Sequence, residues 1–308
     1  IQALQVLSRL IDTHFGNEHT HSLYAVAGRE STVSYELTFE AYLENTLNEW
    51  LVANRKNTLR AKQQSIDESL TMQFLQEIRR IKSVFKKYGG SFNTLFNSFE
   101  VDNATTHQLQ QHIKAILKAN YAIDEQREKL VFDNGEYVYL KDASSGQKEA
   151  VRLLQDVALA MVERQKVLRV IEEPEAHLFP VAQKQLIEVL MALKNYNDHN
   201  QFIITTHSPY ILTVFNNLLF ASRVVAANPA HKTAVDERFP ELFRIHAKDF
   251  AAYSLGNGMI PDTPYCIDIV NPQTGLIRQN YLDTVSQILG QDFNYLYALH
   301  AQTIQQQR

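Results

Sequence analysis

The chain alternates between two periodicities, and the switch between them divides it. Ile1, Leu4, Leu7 and Ile11 recur at helical spacing, so the chain opens within a helix. Residues 17–32 are polar and irregular and read as a loop, after which residues 33–39 alternate as a strand. Residues 40–125 are mostly helical in pattern: Leu70, Phe74, Ile78, Ile81 and Phe85 form one stripe, closed by Gly89-Gly90. No heptad pattern persists, so this region reads as a compact helical insertion. Leu130-Val131-Phe132 and Tyr137-Val138-Tyr139-Leu140 flank Asp133-Asn134-Gly135, a hairpin signal. After Ala143-Ser144-Ser145-Gly146-Gln147 a helix runs from near Lys148 to about Gln165, followed by an apolar strand at 167–171, a helix at 183–194 and a buried strand at 202–206. Strand, helix, strand at this spacing is a βαβ unit, which predicts neighbouring parallel strands. The remainder carries a short strand at 265–269, a turn at 271–275 and an amphipathic end helix.

Composition narrows the class. With 308 residues, 45% hydrophobic and 21% charged, the chain resembles a globular protein with one large or two unequal domains. No apolar run approaches the roughly 18 residues of a membrane span, and the start lacks the charge pattern of a signal peptide. The single cysteine, Cys266, excludes an intrachain disulfide, which fits a reducing, cytoplasmic setting. A net charge of -4 does not advertise nucleic-acid binding. Basic residues do crowd the helical insertion, notably Arg55, Lys56, Arg60, Arg79, Arg80, Lys82, Lys86 and Lys87. That is ordinarily a solvated face, and the alternative is contact with nucleic-acid phosphates.

Three short segments could carry chemistry. Glu172 and Glu173 follow directly on the strand at 167–171, at the carboxyl end where ligands of open α/β sheets sit. One such carboxylate can hold Mg²⁺ and the next can orient water; alone, the pair reads better as a solvated acidic turn. His207 ends the neighbouring strand, where a histidine can reach a phosphate or simply be a satisfied buried group. Ser144-Ser145-Gly146-Gln147 precedes a helix, as an anion site or as an ordinary N-cap. Glu18-His19-Thr20-His21, with His14, hints at metal but reads better as an exposed polar loop. Lone Asp268 makes no nuclease site.

Taken together, these segments resemble the ABC-type ATPases, in the branch of SMC, RecF and OLD-like proteins. Ser144-Ser145-Gly146-Gln147 is similar to the signature motif, with Ser145 replacing its first glycine. Val170-Ile171-Glu172-Glu173-Pro174-Glu175 is similar to Walker B, and Ala176-His177-Leu178-Phe179-Pro180 takes the D-loop position. Ile204-Thr205-Thr206-His207-Ser208-Pro209 is similar to the switch-histidine loop. Glu172 stands where most ABC proteins have Asp, in the form common among OLD-like ATPases. No Gly-Lys-Ser or Gly-Lys-Thr occurs. Residues 1–7 resemble the helix after a phosphate-binding loop, so Walker A is expected just upstream of Ile1, with a degenerate ATPase as the alternative. Without such a loop, residues 1–308 alone are expected to be inactive.

The resemblance implies an α/β, ABC-ATPase-like head with a parallel-sheet core, a helical insertion and a small C-terminal α/β tail. Its parts would be 1–39 (N-terminal part of the core), 40–128 (insertion), 129–234 (core with all three motifs) and 235–308 (C-terminal extension). It implies ATP and Mg²⁺ as cofactors, with Glu172 at the metal and Glu173 and His207 catalytic. Ser144, Ser145, Gly146 and Gln147 would bind nucleotide across a homodimer or higher oligomer. It further implies a separate effector, a nuclease or toxin, as in Septu and retron-associated anti-phage ATPases, with nucleic acid a further candidate partner and no membrane. A DNA-repair ATPase and a catalytically dead scaffold are the alternatives.

Overall fold

The computed structural model describes residues 21–34, 66–99, 101–124, 127–255, 264–278 and 290–297. The expected opening helix, most of the 33–39 strand, and His14, Glu18 and His19 lie outside the described residues. The chain divides into two compact units, one ending at Thr206 and one beginning at His207.

In the first unit, β1 (His21–Ala25) is followed by the helical turn α1 (Ser31–Ser34). Then come α2 (Ile66–Lys87), α3 (Phe92–Asn97), α4 (Asn103–Leu117), β2 (Asn120–Ile123), β3 (Glu128–Val131) and β4 (Tyr137–Tyr139). The unit closes with α5 (Ser145–Val162), β5 (Val167–Glu172), α6 (Pro180–Tyr196) and β6 (Gln201–Thr205). The predicted βαβ unit is present: β5 and β6 pair in parallel, Ile171 opposite Ile204 and Glu172 opposite Thr205. So is the hairpin, in which β3 and β4 pair antiparallel with Val131 opposite Tyr137. The fold is α/β with a parallel central sheet.

Two local expectations are corrected. Residues 17–32 are not all loop, because β1 forms the third strand of the central sheet, in the order β1-β5-β6. His21 faces Val167 and Ala25 faces Ile171 in parallel register. Val33 and Ser34, expected to begin a strand, close α1 instead. The partner of β1 lies far along the chain, so short-range pattern could not reveal the pairing.

Local chemistry explains the helix boundaries. Ser91 and Thr94 make a capping box at α3, and Asp102 accepts from the amides of Ala104 and Thr105 at α4. α2 buries Phe74, Ile78, Ile81 and Phe85 of the predicted stripe. Gly90 stops it with φ 78°. A Cβ there would lie 2.2 Å from the Ile123 carbonyl oxygen, whose residue pairs back through its N–H at 2.7 Å.

α5 is buried on nearly every side, and α6 packs against it. Its polar residues are matched in pairs. Arg152 donates to Glu128 at 2.7 and 2.8 Å, and Asp156 receives Arg169 at 2.7 and 2.9 Å.

The second unit holds α7 (Pro209–Ala227), α8 (Lys232–Asp236), β7 (Tyr253–Leu255) and β8 (Cys266–Asp268), the last two antiparallel. The short strand and the turn expected near 265–275 are both present, the turn closed by a Val270–Ile277 bridge. Residues 290–297 are helical. α7, at 19 residues and mean hydropathy 1.4, is by length and composition alone long and apolar enough to cross a membrane, though Asn216, Asn217 and Arg223 interrupt its apolar run. It buries Ile211, Val214, Phe215, Leu218 and Leu219 along one stripe, the spacing of a helix that covers a core.

Candidate functional site

The site begins at the carboxyl end of β5. That strand lies between two others and buries Val167, Leu168, Arg169 and Ile171, and its acids come only at its end, where Glu172 and Glu173 are half-buried. Glu172 is its last residue. One carboxylate oxygen accepts the Tyr24 hydroxyl and the other accepts the Ala27 amide at 3.0 Å, which straps β1 to β5. A carboxylate offers about four acceptor positions. Two hydrogen bonds therefore leave Glu172 able to receive a metal-bound water, and its oxygens are the hard donors Mg²⁺ prefers. Among the described residues no cluster of three or more ligating side chains could grip a metal by itself.

Glu173 is half-buried and has φ 41°, a left-handed conformation that a side chain with a Cβ disfavours. Its amide donates to the Thr205 carbonyl at 3.0 Å, extending the strand pairing by one residue. Two tight turns follow: Ala176 N–H to the Glu173 carbonyl at 3.0 Å and Leu178 N–H to the Glu175 carbonyl at 2.9 Å. The side chain of Glu175 accepts the Thr206 hydroxyl at 2.6 Å, tying the turn to the end of β6.

Arg29, which sequence reasoning missed, lies beneath this turn, fully buried. It donates from Nη1 to the carbonyls of Val26 and Glu172, both at 2.7 Å, and from Nη2 to the carbonyl of Glu173 at 3.0 Å. Nε stands 3.0 Å from Glu149 Oε2, an ion pair whose direction falls short of a hydrogen bond. Burial pulls the guanidinium below its ordinary pKa, while the charges of Glu149, Glu175, Glu172 and Glu173 pull it back. Nothing in Gly28-Arg29-Glu30 signals this role. Tyr24 was more legible, because Leu23 and Ala25 alternate with Ser22 and Tyr24 as in a half-buried strand.

Ser144 is the N-cap of α5. Its Oγ accepts the Gln147 amide at 3.3 Å, and Gln147 Oε1 accepts the Ser144 amide at 3.1 Å. Gln147 Nε2 also donates to the Leu117 carbonyl at 2.6 Å. The capping role is therefore real, and the turn leaves Ser144 exposed and Ser145 half-exposed. Gly146 is buried against the turn after Glu173: a Cβ would lie 2.4 Å from the His177 carbonyl oxygen. The acids and this segment share the first unit. His207 opens the second unit, exposed, just before Ser208, the N-cap of α7. His21, from the hinted metal loop, instead starts β1 with Nε2 3.4 Å from Glu77.

Residues 30–212, which include Ser144, Ser145, Gly146, Gln147, Glu172, Glu173 and His207, match the family described as the AAA ATPase domain. The chain belongs to that family. Membership makes this an ATPase domain, which implies a bound nucleotide with a divalent cation. Tyr24 and Arg29 lie just before the matched stretch of the ATPase domain. Among solved structures, the chain is similar to the Smc head domain with an extended coiled coil, bound to the C-terminal domain of ScpA, from Pyrococcus furiosus. The identity is 15%, the TM-score 0.30, and the match covers 69% of this chain and 47% of that one. The chain thus spans about half the length of that structure's chain. No curated protein matches.

Proposed function

We propose that this ATPase domain is an ABC-type head of the SMC/RecF-like branch that hydrolyses ATP between two copies. The observation that carries the reading is the pair Glu172 and Glu173 at the carboxyl end of the central parallel strand, with Glu173 held in a strained backbone. Residues kept in unfavourable conformations concentrate where function needs a fixed aim. Glu172, already fastened to β1, takes the metal side of the site. A Mg²⁺ ion, when bound, neutralises phosphate charge. Glu173 orients and polarises the attacking water, and His207 senses the γ-phosphate. Ser144, Ser145, Gly146 and Gln147 bind the nucleotide held by the other copy, the capped start of α5 presenting amides to its phosphates.

ATP binding would then close the dimer, and hydrolysis would reopen it. The likeness of residues 170–180 to OLD-like ATPases supports an output through a separate effector, a nuclease or toxin, in bacterial anti-phage defence. The test is Glu173→Gln in the protein as encoded. The amide nearly matches the carboxylate in shape but cannot act as a base. Turnover should fall by about 100-fold or more while ATP affinity stays within a few-fold. The ATP-bound dimer should accumulate, seen as a larger mass by light scattering. Normal turnover by the variant would make Glu173 structural and end the reading.

A further inference from the structure

The segment expected to meet nucleotide and the acids expected to act on water lie on different elements, the start of α5 and the end of β5. Two contacts join them within one chain. Gly146 on the first turn of α5 abuts the His177 carbonyl with no room for a side chain. Arg29 makes the second contact. It grips the Glu172 and Glu173 carbonyls with one end of its guanidinium and meets Glu149, on the next turn of α5, with Nε.

Glu149 is itself fully buried, and its other oxygen accepts the Glu30 amide at 3.1 Å. A packed core does not require such a pair, since apolar side chains of similar volume fill the space without the cost of desolvating two charges. The fork is suited to another task. Its donors reach three carbonyls and one carboxylate in a fixed plane, which a point charge on a flexible stem cannot do. Glu173 shows the need for it. A left-handed residue with a side chain relaxes unless its surroundings hold it, and here Arg29 holds the carbonyl while the Thr205 carbonyl holds the amide.

We propose that Arg29 is a positioning residue for hydrolysis: anchored to α5 through Glu149, it fixes the aim of Glu172 and Glu173 relative to the Ser144–Gln147 segment. In a dimer this makes the start of α5, which meets the partner's nucleotide, rigid with the acids that serve the chain's own. The inference rests on Glu173 acting in hydrolysis.

Arg29→Lys keeps the charge and loses the fork, whereas Glu149→Gln keeps the acceptor and loses the charge. Each is compared with the wild type, in the protein as encoded, by thermal unfolding, by binding of a fluorescent ATP analogue and by steady-state turnover. The expected result is analogue affinity and KM within about threefold of wild type and kcat down about tenfold or more, the pattern of an interaction needed only beyond the bound state. Glu149→Gln is the milder change and is decisive if Arg29→Lys does not unfold cooperatively. Wild-type kcat in a cooperatively folded variant overturns the proposal. So does loss of cooperative unfolding in both variants, which would reduce Arg29 to a structural ion pair. Glu173→Gln run alongside separates the two ideas. If it is inactive while a folded Arg29→Lys is normal, only the role of Arg29 fails; if it is itself normal, the hydrolytic reading fails and takes this inference with it.

Discussion

Gly146 shows how much a single position can carry. It sits in the first turn of a helix, where alanine is ordinarily better than glycine by about 1 kcal/mol. Its neighbour reverses that preference, because an added Cβ would stand 2.4 Å from the His177 carbonyl oxygen. Backbone cannot swing aside as a flexible side chain can, so either the turn after Glu173 or the start of α5 must move. Gly146→Ala should therefore destabilise the protein by about 1–3 kcal/mol, the usual cost of overpacking. Chemical denaturation measures the sign directly. An unchanged or raised midpoint would mean that the close approach is not real.

At the scale of the element, α5 departs from the amphipathic pattern of a surface helix. It is buried around its circumference, yet Glu149, Arg152, Gln155 and Asp156 lie inside with its apolar residues. The helix tolerates them because Glu149, Arg152 and Asp156 meet partners on other elements, Arg29 beside β1, Glu128 on β3 and Arg169 on β5, while Gln155 accepts from Arg152 at 2.9 Å. Such pairs contribute little net stability when whole and cost much when broken. Asp156→Ala strands the buried Arg169 charge and should cost about 3–5 kcal/mol. The double variant Asp156→Ala with Arg169→Met removes both charges and should recover most of that loss. A denaturation double-mutant cycle reads the difference, and additive losses would show that the two side chains do not interact.

Across the whole molecule, two buried carboxylates, Glu77 and Glu128, shape the response to acid. Burial pushes Glu77 upward, but hydrogen bonds from His21 and Arg80 outweigh it and hold the carboxyl at about 2. Burial likewise opposes the charge on Glu128, and Arg152, Lys82 and Tyr121 hold it well below the usual carboxylate range. Both groups have folded pKa values below their unfolded ones. Their stabilisation is therefore complete above the unfolded value of about 4.3 and is lost as pH falls through the folded values. The thermal midpoint should accordingly drop steadily from about pH 4.3 toward pH 2. Glu77→Gln should flatten part of that slope in calorimetry. A wild-type midpoint that stays level down to pH 2.5 would contradict the ion-pair network.

The sequence by itself determined whatever depends on near neighbours and period. The βαβ unit, the hairpin at Asp133-Asn134-Gly135, the stripe of α2 and the motifs around Ser144 and Glu172 were all legible there, because helix, turn and alternation are short-range patterns. The family followed from those motifs. Tertiary structure alone decided what pairs across long separations. β1 looked like loop because five residues cannot announce a partner almost 150 positions away. Arg29 looked like an ordinary loop arginine, and only the folded chain brings three carbonyls and Glu149 around its guanidinium. The strain at Glu173 is likewise a property of the turn, not of the residue type. A side chain's chemistry is written in the sequence, but the groups that give it a fixed direction arrive only when distant segments meet.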